Sequence, residues 1–206
     1  MIVPALLSQD KEKMQEMLNT CNQFAKLVQI DIMDGEFVPS KSITAQELAQ
    51  LKINTPNELH LMVNNPFAWI EPASQIGSKR IIFHLETEID HKKLITEIKK
   101  MEMEAGVSLN PKTNIEKLRP IIKDIDLILF MAVNPGFYGA AFIPEVLDKI
   151  RKFKRIWPNK KTAIDGGVKE SNILKIKNIG LDYICIGSAI LKSDNPKQAF
   201  LKFSRL

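Results

Sequence analysis

Residues 127–136 read LILFMAVNPG, seven apolar residues in succession and then Asn-Pro-Gly. A run this uniformly apolar is expected of a strand covered on both faces, as in a parallel sheet flanked by helices. Asn-Pro-Gly is a turn signal that ends it. Two later segments repeat the form, AIDGG at 163–167 and YICIGS at 183–188, each leaving its strand through glycine. Applied to the rest of the chain, the same reading gives strands beginning near Ile2, Leu27, Asn57, Lys79, Glu104, Asp126, Lys161 and Tyr183, at intervals of 22 to 35 residues. Apolar residues at helical spacing fill the intervals: Leu94, Ile95, Ile98 and Met101, then Ile143, Val146, Leu147 and Ile150, then Ile173, Leu174 and Ile176. Helix starts are expected at Asn65-Pro66, Thr113, Pro144 and Asn195-Pro196.

Eight strands alternating with helices leave two architectures, an open doubly wound sheet and a closed barrel. The first strand has no glycine-rich turn into its helix, which argues against a dinucleotide-binding sheet. Glycine gathers instead after strands six, seven and eight, at Gly136 and Gly139, Gly166 and Gly167, and Gly187. Barrel enzymes commonly hold a phosphate at those loops. The expected fold is therefore α/β, a single (β/α)8 TIM barrel over residues 1–206, with no linker-like or low-complexity stretch.

Composition narrows the function classes. The chain has 206 residues and is 45% hydrophobic, enough for a sizeable core. Its longest apolar run, Leu127 to Val133, is too short to span a bilayer, and Met1 to Leu7 does not resemble a signal peptide. The net charge of +5 is spread among acids rather than massed into a patch, so no nucleic-acid or membrane partner is expected. Cys21 and Cys185 sit in apolar contexts without metal-ligand spacing and read as reduced core thiols, consistent with a cytoplasmic protein.

A barrel carries its chemistry at the C-terminal ends of its strands. Those ends offer Gln29, Asp31 and Met33, then Glu58, His60 and Met62, then His84 and Glu86, Ser108 and Asn110, Met131 and Asn134, and Asp165. Alternation puts Gln29, Asp31 and Met33 on one face and Ile30 and Ile32 on the other. An ionisable group flanked by strand isoleucines is expected to face the axis, because burial among the helices would be costly. Asp34, followed by Gly35, reads as a turn-tethering acceptor. His84 reads either as a satisfied wall histidine or as a site residue, and His91 as a surface residue.

The segments QIDIMDGEFVPS, ELHLMV, AGVSLNPKT, FMAVNPGFYGAAFIPE, AIDGGV and ICIGSAI, in this order and spacing, resemble the ribulose-phosphate 3-epimerase family from about Pro4 to Ala189. The resemblance implies an isomerase of the pentose phosphate pathway that interconverts D-ribulose 5-phosphate and D-xylulose 5-phosphate. It implies two-aspartate proton transfer at C3 through an enediolate, with Asp31 and Asp165 as the catalytic pair. It further implies a divalent metal (zinc, manganese, iron or cobalt) among Asp31, His60, Asp165 and Gln29. The phosphorylated ketose would meet His60, Met33, Met62 and Met131. Its phosphate would lie against Gly136, Phe137, Tyr138, Gly139, Gly166, Gly167, Gly187 and Ser188. A homo-oligomer is expected on the same basis.

The chain departs from the family pattern at several positions. Gln29 stands where the family has a metal-ligating histidine, and a neutral amide oxygen is a poorer zinc ligand than imidazole. The metal is therefore expected to be weakly held or absent. Ala5 replaces a serine, Ser40 an asparagine, Tyr138 a glycine and Ala140 a glutamine. These changes keep two alternatives open, an epimerase for another ketose phosphate and a non-catalytic phosphosugar-binding barrel.

Overall fold

The computed structural model of the chain describes residues 1–136 and 140–206. Phe137, Tyr138 and Gly139, expected at the phosphate loop, lie outside the described residues. The strands are β1 (Ile2–Leu6), β2 (Val28–Met33), β3 (Asn57–Met62), β4 (Arg80–His84), β5 (Glu104–Leu109), β6 (Leu127–Met131), β7 (Lys161–Asp165) and β8 (Tyr183–Ile186). They form one closed barrel in chain order, every neighbouring pair parallel, with β8 returning to β1 through Val3 opposite Cys185. Each strand begins within one residue of its expected position.

The helices around it are α1 (Lys11–Cys21), α2 (Ala45–Leu48), α3 (Ile70–Gln75) and α4 (His91–Lys100). They continue with α5 (Val146–Ile156), α6 (Ile173–Lys177), α7 (Ser188–Leu191) and α8 (Pro196–Arg205). Their starts follow from capping chemistry. Asp10, Asp90 and Asn195 each accept a backbone N–H from the first turn of α1, α4 and α8, and Pro196 opens α8 where no donor is needed. Between β5 and β6 the connection is a 3₁₀ turn, Ile115–Leu118, and its cap is Asn114 rather than Thr113. The Thr113 hydroxyl donates to Glu86 instead. Two apolar residues assigned to helix faces point outward: Leu174 is 54% exposed and Met101 42% exposed. Ile173 and Ile176 already fill the short α6 face, and Met101 lies beyond the last turn of α4.

Strand parity divides the interior into two cores. Odd-numbered Val3 and Ala5, with Leu129, Met131, Ala163 and Cys185, turn to the axis, as does even-numbered Ile82 on β4. Ile30, Ile32, Leu59, Leu61, Ile81, Phe83, Ile128 and Phe130 turn outward and meet α4 through Leu94, Ile95 and Ile98, and α5 through Val146, Ile150 and Phe153. At the N-terminal end of the barrel the axis is closed by an ion cluster. Buried Arg80 donates to Glu58 at 2.9 Å and to Glu104 at 2.8 Å, with its guanidinium 5.0 Å from the Tyr183 ring centre. Burial pushes Glu58 up to about 7 even against the Arg80 charge.

Removing one partner of a buried ion pair leaves the other charge uncompensated. Arg80→Met should therefore lower unfolding stability by about 3–5 kcal/mol, measured by urea denaturation at pH 7.

Candidate active site

At the C-terminal end of the barrel, Asp31 on β2 and Asp165 on β7 reach the floor of one cleft, each only 8% exposed. The cleft has a volume of about 690 Å³ including its open mouth. Met33, Met62 and Met131 line it, together with Gly136, Gly166, Gly167, Gly187 and Ser188. β2 and β3 run in register, so Asp31 lies opposite His60 and Met33 opposite Met62. Asp165 lies between Met131 on β6 and Cys185 on β8.

One glutamine ties the two carboxylates together. Gln29 Nε2 donates to Asp31 Oδ1 at 2.8 Å and to Asp165 Oδ2 at 2.7 Å. His60 Nδ1 faces the same two oxygens, at 3.1 Å from Asp31 and 3.6 Å from Asp165. Burial raises the Asp31 carboxyl, and the nearby Asp165 charge raises it further, to about 6, against the hydrogen bonds of His60 and Gln29. For His60, burial disfavours the charged ring, but the two carboxylates outweigh it and lift the imidazole to about 9.

Behind His60 runs a line of buried side chains. His60 Nε2 is 3.0 Å from His84 Nε2, and His84 Nδ1 is 3.3 Å from Glu86 Oε2. Burial and the neighbouring His60 charge hold His84 down, to about 4, against Glu86. A neutral His84 must then give its one ring proton to Glu86 and accept from His60 at Nε2. The charged His60 ring then donates through both nitrogens, Nε2 to His84 and Nδ1 to the carboxylates. Glu86 is pinned in turn by the Asn110 N–H at 2.9 Å and by the Thr113 hydroxyl. Burial opposes its charge, yet the hydrogen bonds from His84, Thr113 and Asn110 bring its carboxyl down to about 2.

The loops around the cleft depend on glycine, at Gly136 and Gly166 among others. Gly166 has φ +105°, and a Cβ there would lie 2.6 Å from Val133 Cγ2. Gly136 has φ +106°, and a Cβ would meet Val38 at 2.9 Å. Ser40 donates its hydroxyl to the Gly136 carbonyl and so ties the β2 loop to the β6 loop.

This barrel, with a carboxylate from β2 and one from β7 over a histidine of β3, matches the model of the ribulose-phosphate 3 epimerase family across residues 1–191. The chain belongs to that family. A cytoplasmic isoform of ribulose-phosphate 3-epimerase from rice, Oryza sativa subsp. japonica, is 35% identical over 95% of this chain and 89% of its own length. Ribulose-phosphate 3-epimerase of Mycobacterium tuberculosis is 31% identical over 100% of this chain and 92% of its own. Among solved structures, a Streptococcus mutans protein described as KGPDC superposes with a TM-score of 0.77 at 11% identity, covering 99% of this chain and 95% of that one. At that identity the likeness concerns the barrel alone.

The epimerase-family residues expected at the site fall into three groups. Asp31, Asp165, the three methionines and the glycines with Ser188 border the cleft. His60 and Gln29 are fully buried beneath it, in contact with the carboxylates rather than with open space. Phe137, Tyr138 and Gly139 lie outside the described residues. Asp34 is a tether, accepting the Glu36, Phe37 and Asn64 N–H groups at 2.7–2.9 Å. His91, expected at the surface, is partly buried, stacks on Phe83 and faces the Thr87 carbonyl at 3.0 Å.

Two residues of the site escaped the sequence reading. Cys185, read as a core thiol, approaches Gln29 Oε1 at 3.1 Å, and its axial parity with Asp165 was the available signal. Lys169 borders the cleft four residues after Asp165, where a cation suits an anionic ligand.

Asp31, His60 and Asp165 offer donor atoms all within 4.8 Å of one another, a set that fits a divalent cation. Gln29 does not fit as a fourth ligand in the orientation it holds, because its N–H groups face the carboxylates.

The depressed Glu86 carboxyl has a consequence for stability. Its folded value near 2 lies below the ordinary 4.5, so its contribution is complete above about pH 4.5 and fades as pH falls toward 2. Glu86→Gln should cost roughly 2 kcal/mol at pH 7, allowing for solvent at its partly exposed side chain. In urea unfolding series from pH 7 to 3, the gap between the two proteins should narrow steadily below about pH 4.5.

Proposed function

We propose that the chain is a pentulose-phosphate epimerase that interconverts D-ribulose 5-phosphate and D-xylulose 5-phosphate by moving the proton at C3. The observation that carries this reading is the pair of barely exposed carboxylates, Asp31 and Asp165, joined through one amide nitrogen on the floor of a methionine-lined cleft. The identity and coverage of the rice and mycobacterial relatives support the same substrate class.

The chemistry follows from two carboxyl groups with one proton between them. An ionised aspartate takes the C3 proton from one face of the bound ketose, and the electron pair left behind forms the enediolate. The other aspartate, as the acid, returns a proton to C3 from the opposite face, so the configuration inverts and the two groups exchange protonation states. The shared floor resists double ionisation, and the elevated Asp31 carboxyl is in keeping with that. The N–H groups of the glycine loops and the Lys169 ammonium suit the phosphate end. The methionines supply a polarisable wall that excludes water.

Asp31, His60 and Asp165 would hold a divalent cation of the zinc, manganese, iron or cobalt type, which when bound would stabilise the charge of the enediolate. A second reading, an epimerase for another ketose phosphate, is favoured by Ala5 and Ala140, two small apolar residues on the cleft wall. Turnover of a ketohexose 6-phosphate exceeding that of the pentulose would establish it. A cytoplasmic setting, a place in the pentose phosphate pathway and self-association belong to the proposal as well. No described helix is long and apolar enough to cross a membrane.

Asp31→Asn and Asp165→Asn should each reduce epimerisation of D-ribulose 5-phosphate by at least about 100-fold. Incorporation of solvent deuterium at C3 of recovered sugar should fall with it. Near-normal turnover in either variant would remove that aspartate from the mechanism.

A further inference from the structure

Gln29 is fully buried, and every polar hydrogen and the oxygen of its amide are engaged. An unprotonated carboxyl oxygen accepts, and the atom 2.8 Å from Asp31 Oδ1 and 2.7 Å from Asp165 Oδ2 is the nitrogen, giving one hydrogen to each. The opposite end is fixed independently. Cys185, itself buried, directs its thiol at Gln29 Oε1 over 3.1 Å. Turning the amide over would set its oxygen against two carboxylate oxygens and its N–H groups against a sulfur, a weak acceptor. The amide is therefore held in the orientation that offers donors, not a ligand oxygen, to the carboxylates.

We propose that Gln29 and Cys185 form a clamp that competes with a divalent cation for Asp31 and Asp165. The clamp rests on the reading of these aspartates as the site's working pair. In the clamp one amide nitrogen bridges the two carboxylates. A cation drawing on Asp31 Oδ1 and Asp165 Oδ2, the two oxygens that His60 Nδ1 also faces, displaces at least one Gln29 hydrogen bond. Gln29 thus lowers cation affinity actively, by competition, and Cys185 sets how firmly it does so. An inert Gln29 would only fail to contribute a ligand.

The two accounts differ in sign when the side chain is removed. Zinc and manganese, each alone, would be titrated calorimetrically into chelator-stripped wild type, Gln29→Ala, Gln29→His, Cys185→Ala and Cys185→Ser, without any sugar present. With a clamp, Gln29→Ala binds zinc about tenfold or more tightly than wild type, and Gln29→His tighter still by its added imidazole. Cys185→Ala, which releases the amide oxygen, also tightens binding, and Cys185→Ser, which keeps a donor, returns it toward wild type. Weaker or unchanged zinc binding in Gln29→Ala overturns the clamp and makes the amide a ligand or a bystander. Should Gln29→Ala fail to fold, the cysteine pair decides, and identical affinities in Cys185→Ala, Cys185→Ser and wild type overturn the proposal. Epimerase turnover is measured separately, so loss of the proposed activity and loss of the clamp are distinct results.

Discussion

Closing eight parallel strands into a barrel gives each strand two buried faces, and side chains turned to the axis must satisfy one another almost without water. In this chain the axis carries charge at both ends. Arg80 pairs with Glu58 and Glu104 at the N-terminal end, and Asp31 and Asp165 meet His60 and Gln29 under the cleft. Ile82, Leu129, Ala163 and their neighbours fill the axis with apolar volume. The arrangement lets one end be closed and structural while the other is open and reactive, although both use buried carboxylates.

The reactive end is ordered from behind. Glu86 holds a neutral His84, His84 accepts from His60, and His60 thereby keeps Nδ1 toward the carboxylates. Such a line is costly to assemble from separate polar groups, since each one left unpaired would forfeit its hydration. It is stable here because Glu86 lies at the margin, where Asn110, Thr113 and solvent complete its hydrogen bonds. The hydrogen-bond line behind the site thus ends at Glu86, Asn110 and Thr113, in the loops after β4 and β5.

The strands and the axial set were legible in the sequence because period-two alternation survives in a barrel. Once Ile30 and Ile32 are turned to the helices, Gln29, Asp31 and Met33 have one direction left. The glycine exits were legible because Gly136 and Gly166 adopt positive φ against neighbouring side chains. What the sequence withheld depends on distant partners. Thr113 looked like a helix cap but serves Glu86, and Asn114 takes the cap instead. Leu174 fits the spacing of an apolar face but stands exposed, because a helix as short as α6 needs only Ile173 and Ile176 inside. Cys185 is 156 positions from Gln29, and only barrel closure brings its thiol to the amide.

The departures from the family pattern then acquire different physical meanings. Ser40 retains a function at its position, since its hydroxyl binds the Gly136 carbonyl and joins two loops over the cleft. Ala5 and Ala140 remove side-chain reach from the wall and leave space in its place. Gln29 belongs with Ser40. A side chain left behind by the decay of a metal site would be expected to keep idle polar atoms, and an idle polar atom in a fully buried position is expensive. Both hydrogens of the Gln29 amide and its oxygen have partners, one of them the thiol of another strand. That degree of satisfaction marks the glutamine as an integrated part of the floor, with the carboxylate pair assembled around its amide.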